Sequence, residues 1–282
     1  MIKTIFQNYN LNLTKIKVLP SSSNNVYLLK DTNGNKFVCK VYGKFFDKNN
    51  FLKQFEIIQS INGIQTVVPI RNILGNLTTD YGDCFLTLYP FIANSQNYNK
   101  SKAVFNIGQY LQTIHSQPVS NFELLSDFSN PIEHTKTISK TQKQAGQNFI
   151  IANFPNLWNN LELVYIHGDM RLDNFLFDDT GKILTLLDWD YLHVYDKELD
   201  IGKTLNFICF DYDRQELDMK LVKQFLLGYG KDIDLKTVLA KVIWYYSNLN
   251  NMEKILDQNP KFKKVIQIHI GWIEYYIKML KN

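Results

Sequence analysis

The sequence predicts an α+β protein with two lobes, a small antiparallel β-sheet lobe with one helix followed by a larger and mostly helical lobe. Runs of β-branched and aromatic residues dominate the first third of the chain, and apolar residues recur at helical spacing from about Lys100 onward. A strand-rich insert at Val164–Asp190 interrupts the helical part. We therefore expect two domains, 1–92 and 93–282, joined near Tyr89–Ser95.

The composition excludes several classes of protein. The chain has 282 residues, of which 45% are hydrophobic and 21% charged, so it can bury a large core and is neither disordered nor fibrous. Apolar runs fall short of the roughly 18 residues that span a membrane, and the first residues lack the pattern of a signal peptide. Three widely spaced cysteines favour a reducing cytoplasm over a disulfide scaffold. Without a Lys/Arg run, neither nucleic acid nor membrane is an expected partner, and the oligomeric state stays open.

The charge is unevenly distributed along the chain. Residues 1–150 hold 15 Lys+Arg against 8 Asp+Glu, whereas residues 151–282 hold 16 against 19. This pattern fits an anionic ligand on the first part and a metal ion or a cationic ligand on the second, although ordinary surface variation produces similar imbalances.

The elements of the first lobe follow from local patterns. Two strand-like runs flank Asn33-Gly34, and Asn-Gly is a strong hairpin signal. Apolar residues at helical spacing then predict a helix, which Gly63 ends. Two further runs predict strands, the second of which is stopped by a proline. In order, these elements are Asn25–Lys30, Lys36–Tyr42, the helix Asp47–Ile61, Thr66–Ile73 and Cys84–Ile92.

The second lobe is predicted to be helical on both sides of its insert. Ala103–His115 is amphipathic, and residues 130–150 are polar and predict a looser helix. The pattern returns to helical spacing from Asp200 to Asn282.

The most informative stretch is IHGDMRLDNFLFDDTGKILTLLDWD, residues 166–190. The turn Asp178–Gly181 makes the flanking apolar runs a hairpin. Asn174 immediately precedes one strand of this hairpin and Asp188 follows the other, so antiparallel pairing would bring both to one end. Asp169 is separated from Asn174 only by a tight loop. The spacing therefore collects two carboxylates and an amide in one small site.

These groups suit phosphoryl transfer. Asn174 and Asp188 offer oxygen ligands to Mg²⁺, which prefers few protein ligands together with phosphate oxygens. Asp169 can accept a hydrogen bond, and later the proton, from a substrate hydroxyl. Arg171 can direct positive charge at the transferred group.

The sequence HGDMRLDN resembles the catalytic loop H-G-D-x-x-x-x-N of the aminoglycoside phosphotransferase and choline kinase family, which shares the protein-kinase-like fold. LDWD resembles the metal-binding segment of that family. The resemblance implies that Asp169 is the catalytic base, that Asn174 and Asp188 hold Mg²⁺, and that ATP or GTP is the co-substrate. It also implies a mainly structural role for Asp200, which begins the next helix.

The first lobe can be matched to the same family. Lys40 stands where the family's third strand carries the lysine that contacts the nucleotide phosphates, and Glu56 is the candidate for its ion-pair partner. Leu88–Phe91 would form the hinge that holds adenine, with Tyr89 and Phe91 as nucleotide-contacting residues. Ser22 and Ser23 lie in the loop that covers the phosphates in this family. This loop has no glycine, so we expect serine hydroxyls to donate in place of backbone N–H groups.

The acceptor is the open part of the prediction. We expect a small molecule with a hydroxyl group, and the acidic second half favours an aminated one. Aromatic residues of the last helices can pack in the core or form a cage for a quaternary ammonium, and Asp211 and Asp213 could add acidic character. The role of Asp190 stays open between metal, substrate and capping. The alternatives are a nucleotide-binding pseudokinase and a protein kinase, the latter disfavoured because no D-F-G, A-P-E or activation-loop stretch follows Asp188.

Overall fold

A computed structural model describes most of the chain, namely residues 2–20, 25–44, 46–119, 143–159, 161–230, 232–247 and 262–281. It divides into two compact units. Unit 1 comprises 1–97, 175–179 and 183–190, and unit 2 comprises 98–174, 180–182 and 191–282. This division differs from the predicted one at 92/93, because most of the insert hairpin packs with the first part of the chain.

The main feature of unit 1 is a five-stranded antiparallel sheet in the order β1-β2-β3-β5-β4. Its strands are β1 (Leu13–Leu19), β2 (Asn25–Asp31), β3 (Lys36–Tyr42), β4 (Thr79–Tyr81) and β5 (Cys84–Pro90). The predicted β2–β3 hairpin is confirmed, and Gly34 takes the left-handed conformation that its turn needs, with φ 86°. Lys40 lies centrally in the sheet, opposite Val26 on one side and Thr87 on the other.

Two helices accompany this sheet. The predicted helix is confirmed as α2 (Lys48–Ser60), and the Asp47 carboxylate caps it by accepting the N–H groups of Asn49 and Asn50. A helix that the sequence analysis did not predict, α1 (Ile2–Tyr9), precedes β1. Its Ile5 and Tyr9 are buried in the core of the sheet.

The predicted strand Thr66–Ile73 is wrong. Only Thr66 forms a β-bridge, to Leu186, and Ile70 donates a single backbone hydrogen bond to Leu88, 2.6 Å. Pro69 lacks the N–H group that a continuous ladder would need, so the β-branched residues around it form extended chain instead.

A short hairpin, β7 (Phe175–Phe177) with β8 (Ile183–Leu186), belongs to unit 1. The Phe177 N–H donates to the Asn94 side chain at 2.7 Å, and the Leu186 N–H donates to the Gln65 carbonyl at 3.2 Å. These bonds attach the hairpin to segments far away in sequence.

Unit 2 is mostly helical, as predicted. Its helices are α3 (Lys100–His115), α4 (Lys143–Asn153), α5 (Lys197–Cys209), α6 (Met219–Tyr229), α7 (Leu235–Ser247) and α8 (Phe262–Lys281). The strand β6 (Leu163–Ile166) pairs with β9 (His193–Asp196), and the short β10 (Phe210–Asp211) pairs with β11 (Glu216–Leu217). Most of the looser helix predicted over 130–150 lies outside the described residues, and α4 covers its end.

Helices α3 and α6 approach each other closely because each places a glycine against the backbone of the other. A Cβ atom on Gly108 would stand 2.2 Å from the Phe225 carbonyl oxygen, and one on Gly228 would stand 1.9 Å from that of Phe105.

Among the described residues, no helix combines the length and the apolar character required to cross a membrane. The three cysteines are free thiols.

Candidate active site

In unit 1, the sheet carries Lys40 to two carboxylates that lie about 150 residues further along the chain. The Lys40 ammonium group donates to Asp188 at 2.7 Å and to Asp190 at 2.8 Å. Its side chain is 12% exposed, against 31% for Asp188 and 9% for Asp190. The lysine therefore pairs with both carboxylates of the LDWD segment inside a mostly buried group and balances one of their two negative charges.

The charges of this group shift the pKa values of its members. Burial opposes a charged lysine, but the carboxylates of Asp190 and Asp188 outweigh it, so the pKa of Lys40 lies above its ordinary value. Burial raises the pKa of Asp190, and the nearby Asp188 raises it further, whereas Lys40 opposes the shift. Lys40 therefore favours the charged form of Asp190, whereas burial and Asp188 oppose it.

The backbone at Asp188 is shaped for this position. Asp188 has φ 57°, a left-handed conformation that is uncommon for residues other than glycine. It lies two residues after the end of β8, and the Trp189 indole N–H donates to the Leu186 carbonyl at 3.2 Å, which fixes the turn after the strand. The turn thereby directs both flanking aspartates toward Lys40.

Glu56 does not join this group. It is exposed on α2 and lines a polar cavity of about 670 Å³ with Lys48 and Arg71. The residue of α2 that reaches the group is Gln54, whose side-chain amide donates to the Asp190 carbonyl at 3.4 Å. The predicted Lys40–Glu56 pair is therefore replaced by pairs with Asp188 and Asp190.

The predicted hinge is the end of β5. Tyr89 pairs with Val38 of β3, and burial raises the pKa of the Tyr89 hydroxyl. The Phe91 N–H donates to the Lys36 carbonyl at 3.2 Å, and the Lys36 ammonium group lies 5.2 Å from the centre of the Phe91 ring. The Phe91 backbone donor is thus already used within the sheet. Ser22 and Ser23 lie outside the described residues.

In unit 2, the catalytic loop follows β6 and begins with a buried histidine. The Asp169 N–H donates to His167 Nδ1 at 3.3 Å. Gly168 has φ 79°, and a Cβ atom there would stand 2.9 Å from the Tyr191 carbonyl oxygen. Only glycine satisfies both the conformation and the space at this position.

A short network fixes the rest of the loop. The Asn174 amide nitrogen donates to the Asp169 carbonyl at 2.8 Å and to the Asp169 carboxylate at 3.0 Å. The Arg171 N–H donates to the same carbonyl at 2.9 Å, and the Asn174 N–H donates to the Arg171 carbonyl at 3.0 Å. The network thus joins the predicted base directly to the predicted metal-binding amide.

The Arg171 guanidinium group has a different partner from the expected one. It donates twice to Asp173, at 3.1 and 3.0 Å, and both side chains are about half exposed or more. Its centre lies 5.9 Å from the Phe207 ring. Burial opposes the charge but Asp173 outweighs it, so the pKa of Arg171 is raised. Much of its charge is therefore balanced by Asp173.

Asp200 occupies the buried start of α5. One of its carboxylate oxygens lies 3.1 Å from His115 Nε2, and His115 Nδ1 lies 2.9 Å from the Tyr229 hydroxyl. Burial alone would raise the pKa of Asp200, but the hydrogen bond and charge of His115 outweigh it and lower the pKa. Because these contacts are internal, they agree with the structural role that the resemblance implied.

Asn174 of unit 2 and Asp188 of unit 1 each carry an oxygen of the kind that Mg²⁺ prefers. The Asn174 amide turns its nitrogen toward Asp169, so its oxygen is the atom left to face a cation. Asp188 already attracts a positive charge, that of Lys40. Within the described residues, no cluster of three or more His, Cys, Asp or Glu side chains could hold a metal. Mg²⁺ commonly takes few protein ligands and completes its coordination with phosphate oxygens and water.

Each unit thus contains part of the predicted site. Unit 1 contains Lys40 and Asp188, and unit 2 contains Asp169, Arg171 and Asn174. Sequence reasoning left open the contact between Asp190 and Lys40, and its only signal was the second aspartate of Asp-Trp-Asp.

Comparisons with known proteins identify the family and the fold of the chain. Residues 15–235 match the model of the phosphotransferase enzyme family. No curated protein shows a significant match to the sequence. Solved structures with similar folds include an amicoumacin kinase in complex with AMP-PNP, Ca²⁺ and Ami, at 16% identity and a TM-score of 0.68, over 96% of this chain and 91% of that one.

Two further structures show the same fold. A spectinomycin phosphotransferase in complex with ADP and spectinomycin has 16% identity and a TM-score of 0.67, over 99% of this chain and 96% of that one. A choline kinase from Streptococcus pneumoniae has 15% identity and a TM-score of 0.62, over 96% of both chains. The predicted fold class is therefore confirmed.

Proposed function

The chain belongs to the phosphotransferase enzyme family, and we propose that it transfers the γ-phosphoryl group of ATP (or GTP) to a hydroxyl group of a small, aminated acceptor. The observation that carries this proposal is the contact between Lys40 and Asp188. Two residues selected from separate motifs, 148 positions apart, meet at 2.7 Å. A lysine for phosphates beside a carboxylate for a metal ion is the arrangement that a nucleoside triphosphate requires.

Asp169 is proposed to act on the acceptor. Its carboxylate accepts a hydrogen bond from the acceptor hydroxyl and takes the proton as the oxygen bonds to the γ-phosphorus and ADP leaves. Asn174 holds one oxygen of this carboxylate through its amide nitrogen, at 3.0 Å. The base is thereby oriented before the acceptor arrives, and positioning of this kind supplies much of the catalysis of phosphoryl transfer.

Asn174 and Asp188 are proposed to hold Mg²⁺. When bound, the ion neutralises charge on the phosphate oxygens. Chain connectivity supports the pairing of these two ligands, since Asn174 is followed at once by Phe175, whose register partner Leu186 lies two residues before Asp188. Lys40 aligns the phosphates from the sheet.

For the nucleotide base, we propose contacts at the end of β5. Because the Phe91 N–H is used by Lys36, we place the base-reading donor one residue further, at Ile92. Tyr89 lies beside this position on β5, paired with Val38, and is half-buried.

The acceptor site is proposed beside the catalytic loop in unit 2. Arg171 lies over Phe207, which contacts Trp272 at 6.0 Å between ring centres, and Trp272 in turn contacts Tyr212 at 6.3 Å. Trp272 is buried, as core packing requires, whereas Tyr212 is 45% exposed. The Asp211 carboxylate accepts from the Asp213 N–H and lies 3.6 Å from Arg214. Because this carboxylate already has partners, we propose that the aromatic faces bind the amino group of the acceptor.

We also retain the cytoplasm as the proposed location, since free thiols are typical of reducing compartments.

An ADP-release screen tests the proposed function. Purified protein with Mg-ATP would be assayed over hydroxylated metabolites and antibiotics, with Asp169→Asn as the inactive variant and the exposed turn residue Asp83→Asn as its matched control. We expect acceptor-dependent ADP release in wild type and in Asp83→Asn, and its loss in Asp169→Asn. Nucleotide binding without release for any acceptor would instead favour the pseudokinase.

A further inference from the structure

We propose that Asp190 is the positioning residue of Lys40, in the place of a glutamate from the helix that follows the lysine strand. This inference rests on the proposed function and assigns different tasks to the two aspartates of Asp-Trp-Asp. Asp188 holds the metal ion, whereas Asp190 keeps the lysine directed at the phosphates.

The surroundings of Asp190 hold it in place. One carboxylate oxygen accepts from Lys40 at 2.8 Å and the other from the Tyr42 hydroxyl at 3.4 Å. The Asp190 carbonyl accepts from Gln54 at 3.4 Å. Tyr42 is itself stacked on Phe85, with ring centres 4.6 Å apart, and the Lys40 ammonium group lies 4.9 Å from the Tyr42 ring. Asp190 is therefore fixed by the sheet and by α2.

Helix α2 offers no carboxylate to this group. Residues two apart on a helix point to nearly opposite faces, so Glu56 cannot face Asp190 when Gln54 does. Glu56 is exposed and lines the separate cavity with Gln59 and Lys48, which occupy the same face of α2. The residue that α2 directs at the lysine group is thus a neutral amide, and the charged partner comes from Asp190.

The difference in exposure separates the two aspartates. Asp188 is 31% exposed and lies where a ligand from solvent can reach it, whereas Asp190 is 9% exposed. Once a divalent ion occupies Asp188, that carboxylate no longer serves the lysine alone. A lysine that is only 12% exposed still needs a counter-charge, and Asp190 supplies it.

Three substitutions test this assignment by calorimetric binding of Mg·ADP and by steady-state kinetics. Asp190→Asn should weaken Mg·ADP binding and raise the KM for ATP about tenfold, the effect of losing one charge-assisted hydrogen bond. The Mg²⁺ concentration for half-maximal activity should stay within twofold. Glu56→Gln, the rival partner, should change Mg·ADP binding less than twofold. Gln54→Glu combined with Asp190→Asn should restore binding to within about threefold of wild type, because α2 then supplies the carboxylate.

Thermal melting of each variant without ligand verifies that it is folded. If Asp190→Asn does not fold, Asp190→Glu replaces it, because this substitution keeps the charge and changes only the length of the side chain. An equal loss of Mg·ADP binding in Glu56→Gln would overturn the inference. So would a large shift of the Mg²⁺ requirement in Asp190→Asn, which would make Asp190 a metal ligand. Wild-type protein that does not bind Mg·ADP would overturn the proposed function together with the inference, whereas unimpaired binding by Asp190→Asn would overturn the inference alone.

Discussion

Each of the two parts of the candidate site is stabilised internally by a different kind of interaction. In unit 1, Lys40 lies between Asp188 and Asp190, so two carboxylates share one cation in a mostly buried group. In unit 2, Asp169 is held by the neutral amide of Asn174 and by backbone bonds of the loop. The first part must exchange partners when a metal nucleotide binds. The second part orients its proposed base through hydrogen bonds within the loop, and a general base needs such positioning to accept a proton from a hydroxyl.

The largest expected effect concerns Asp169, which we propose as the proton acceptor. Asp169→Asn keeps the shape of the side chain but removes the proton acceptor, so turnover should fall about 10³-fold, within the usual contribution of a general base. Binding of Mg·ADP should change less than threefold, because the lysine group of unit 1 is intact. Single-turnover kinetics and calorimetry check the two halves of this statement, and Asp83→Asn serves as the control. If Asp169→Asn lost Mg·ADP binding as strongly as turnover, the assignment of catalysis to one part and nucleotide binding to the other would be wrong.

The next effect concerns the charged part. Asp188→Asn should weaken Mg-dependent nucleotide binding about 100-fold, since the carboxylate that we assign to the metal is lost. Lys40 keeps Asp190 as partner, so the melting temperature of the free protein should fall by only a few degrees. Contradiction of the metal role of Asp188 would come from melting curves at about 5 mM Mg²⁺ in which the nucleotide stabilises the variant as much as it stabilises wild type.

A third prediction concerns the shape of the catalytic loop. Gly168→Ala should lower the free energy of unfolding by about 2–3 kcal/mol, because φ of 79° is strained for alanine and its Cβ would press on the Tyr191 carbonyl. Gly82→Ala is the matched control, with φ of 61° and open space around the added Cβ. It should cost about 1 kcal/mol. Equal losses in urea unfolding would show that the close contact at Gly168 is unimportant.

The smallest effect is a pH dependence of unit 2. Burial, helped by the charge of Lys203, lowers the pKa of His269 to about 4. Because the unfolded chain takes up this proton at higher pH, the folded state loses stability as pH falls from about 6.5 toward 4. Partial exposure limits the loss to about 1–2 kcal/mol. Lys40 stays charged over this range, since its pKa is raised.

His269→Gln should therefore lose less stability than wild type between pH 7.5 and pH 5, measured by urea unfolding. The remaining loss includes His193, whose pKa burial also lowers. Identical pH dependence in the two proteins would refute the assignment to His269.

Local signals were sufficient for much of the fold. Asn33-Gly34 predicted its hairpin, and Asp47 stands at the start of α2, because turn and cap chemistry depends on neighbouring residues alone. The helix α1 carried a detectable signal in the i,i+4 spacing of Ile5 and Tyr9. The strand predicted at Thr66–Ile73 failed because β-propensity does not show whether a partner strand lies alongside.

The site shows the same limit. Motif spacing was enough to propose Asp169, Asn174 and Asp188, since their neighbours in the chain define the loop and the hairpin. The partner of Lys40 depends on which face of α2 turns toward the sheet, which the spacing of Gln54 and Glu56 does not reveal. The exposure of Arg171 and its pairing with Asp173 likewise depend on the folded loop.

The central claim is that Asp169 accepts a proton from an acceptor hydroxyl during transfer from a nucleotide held by Lys40 and Asp188. The most direct test is ³¹P NMR of wild type and Asp169→Asn incubated with Mg-ATP and an acceptor selected by the screen. We predict a new phosphate monoester resonance with wild type and none with Asp169→Asn, although both bind Mg·ADP. Equal ester formation by the variant, or no ester from any acceptor with a wild-type protein that binds nucleotide, would contradict the claim.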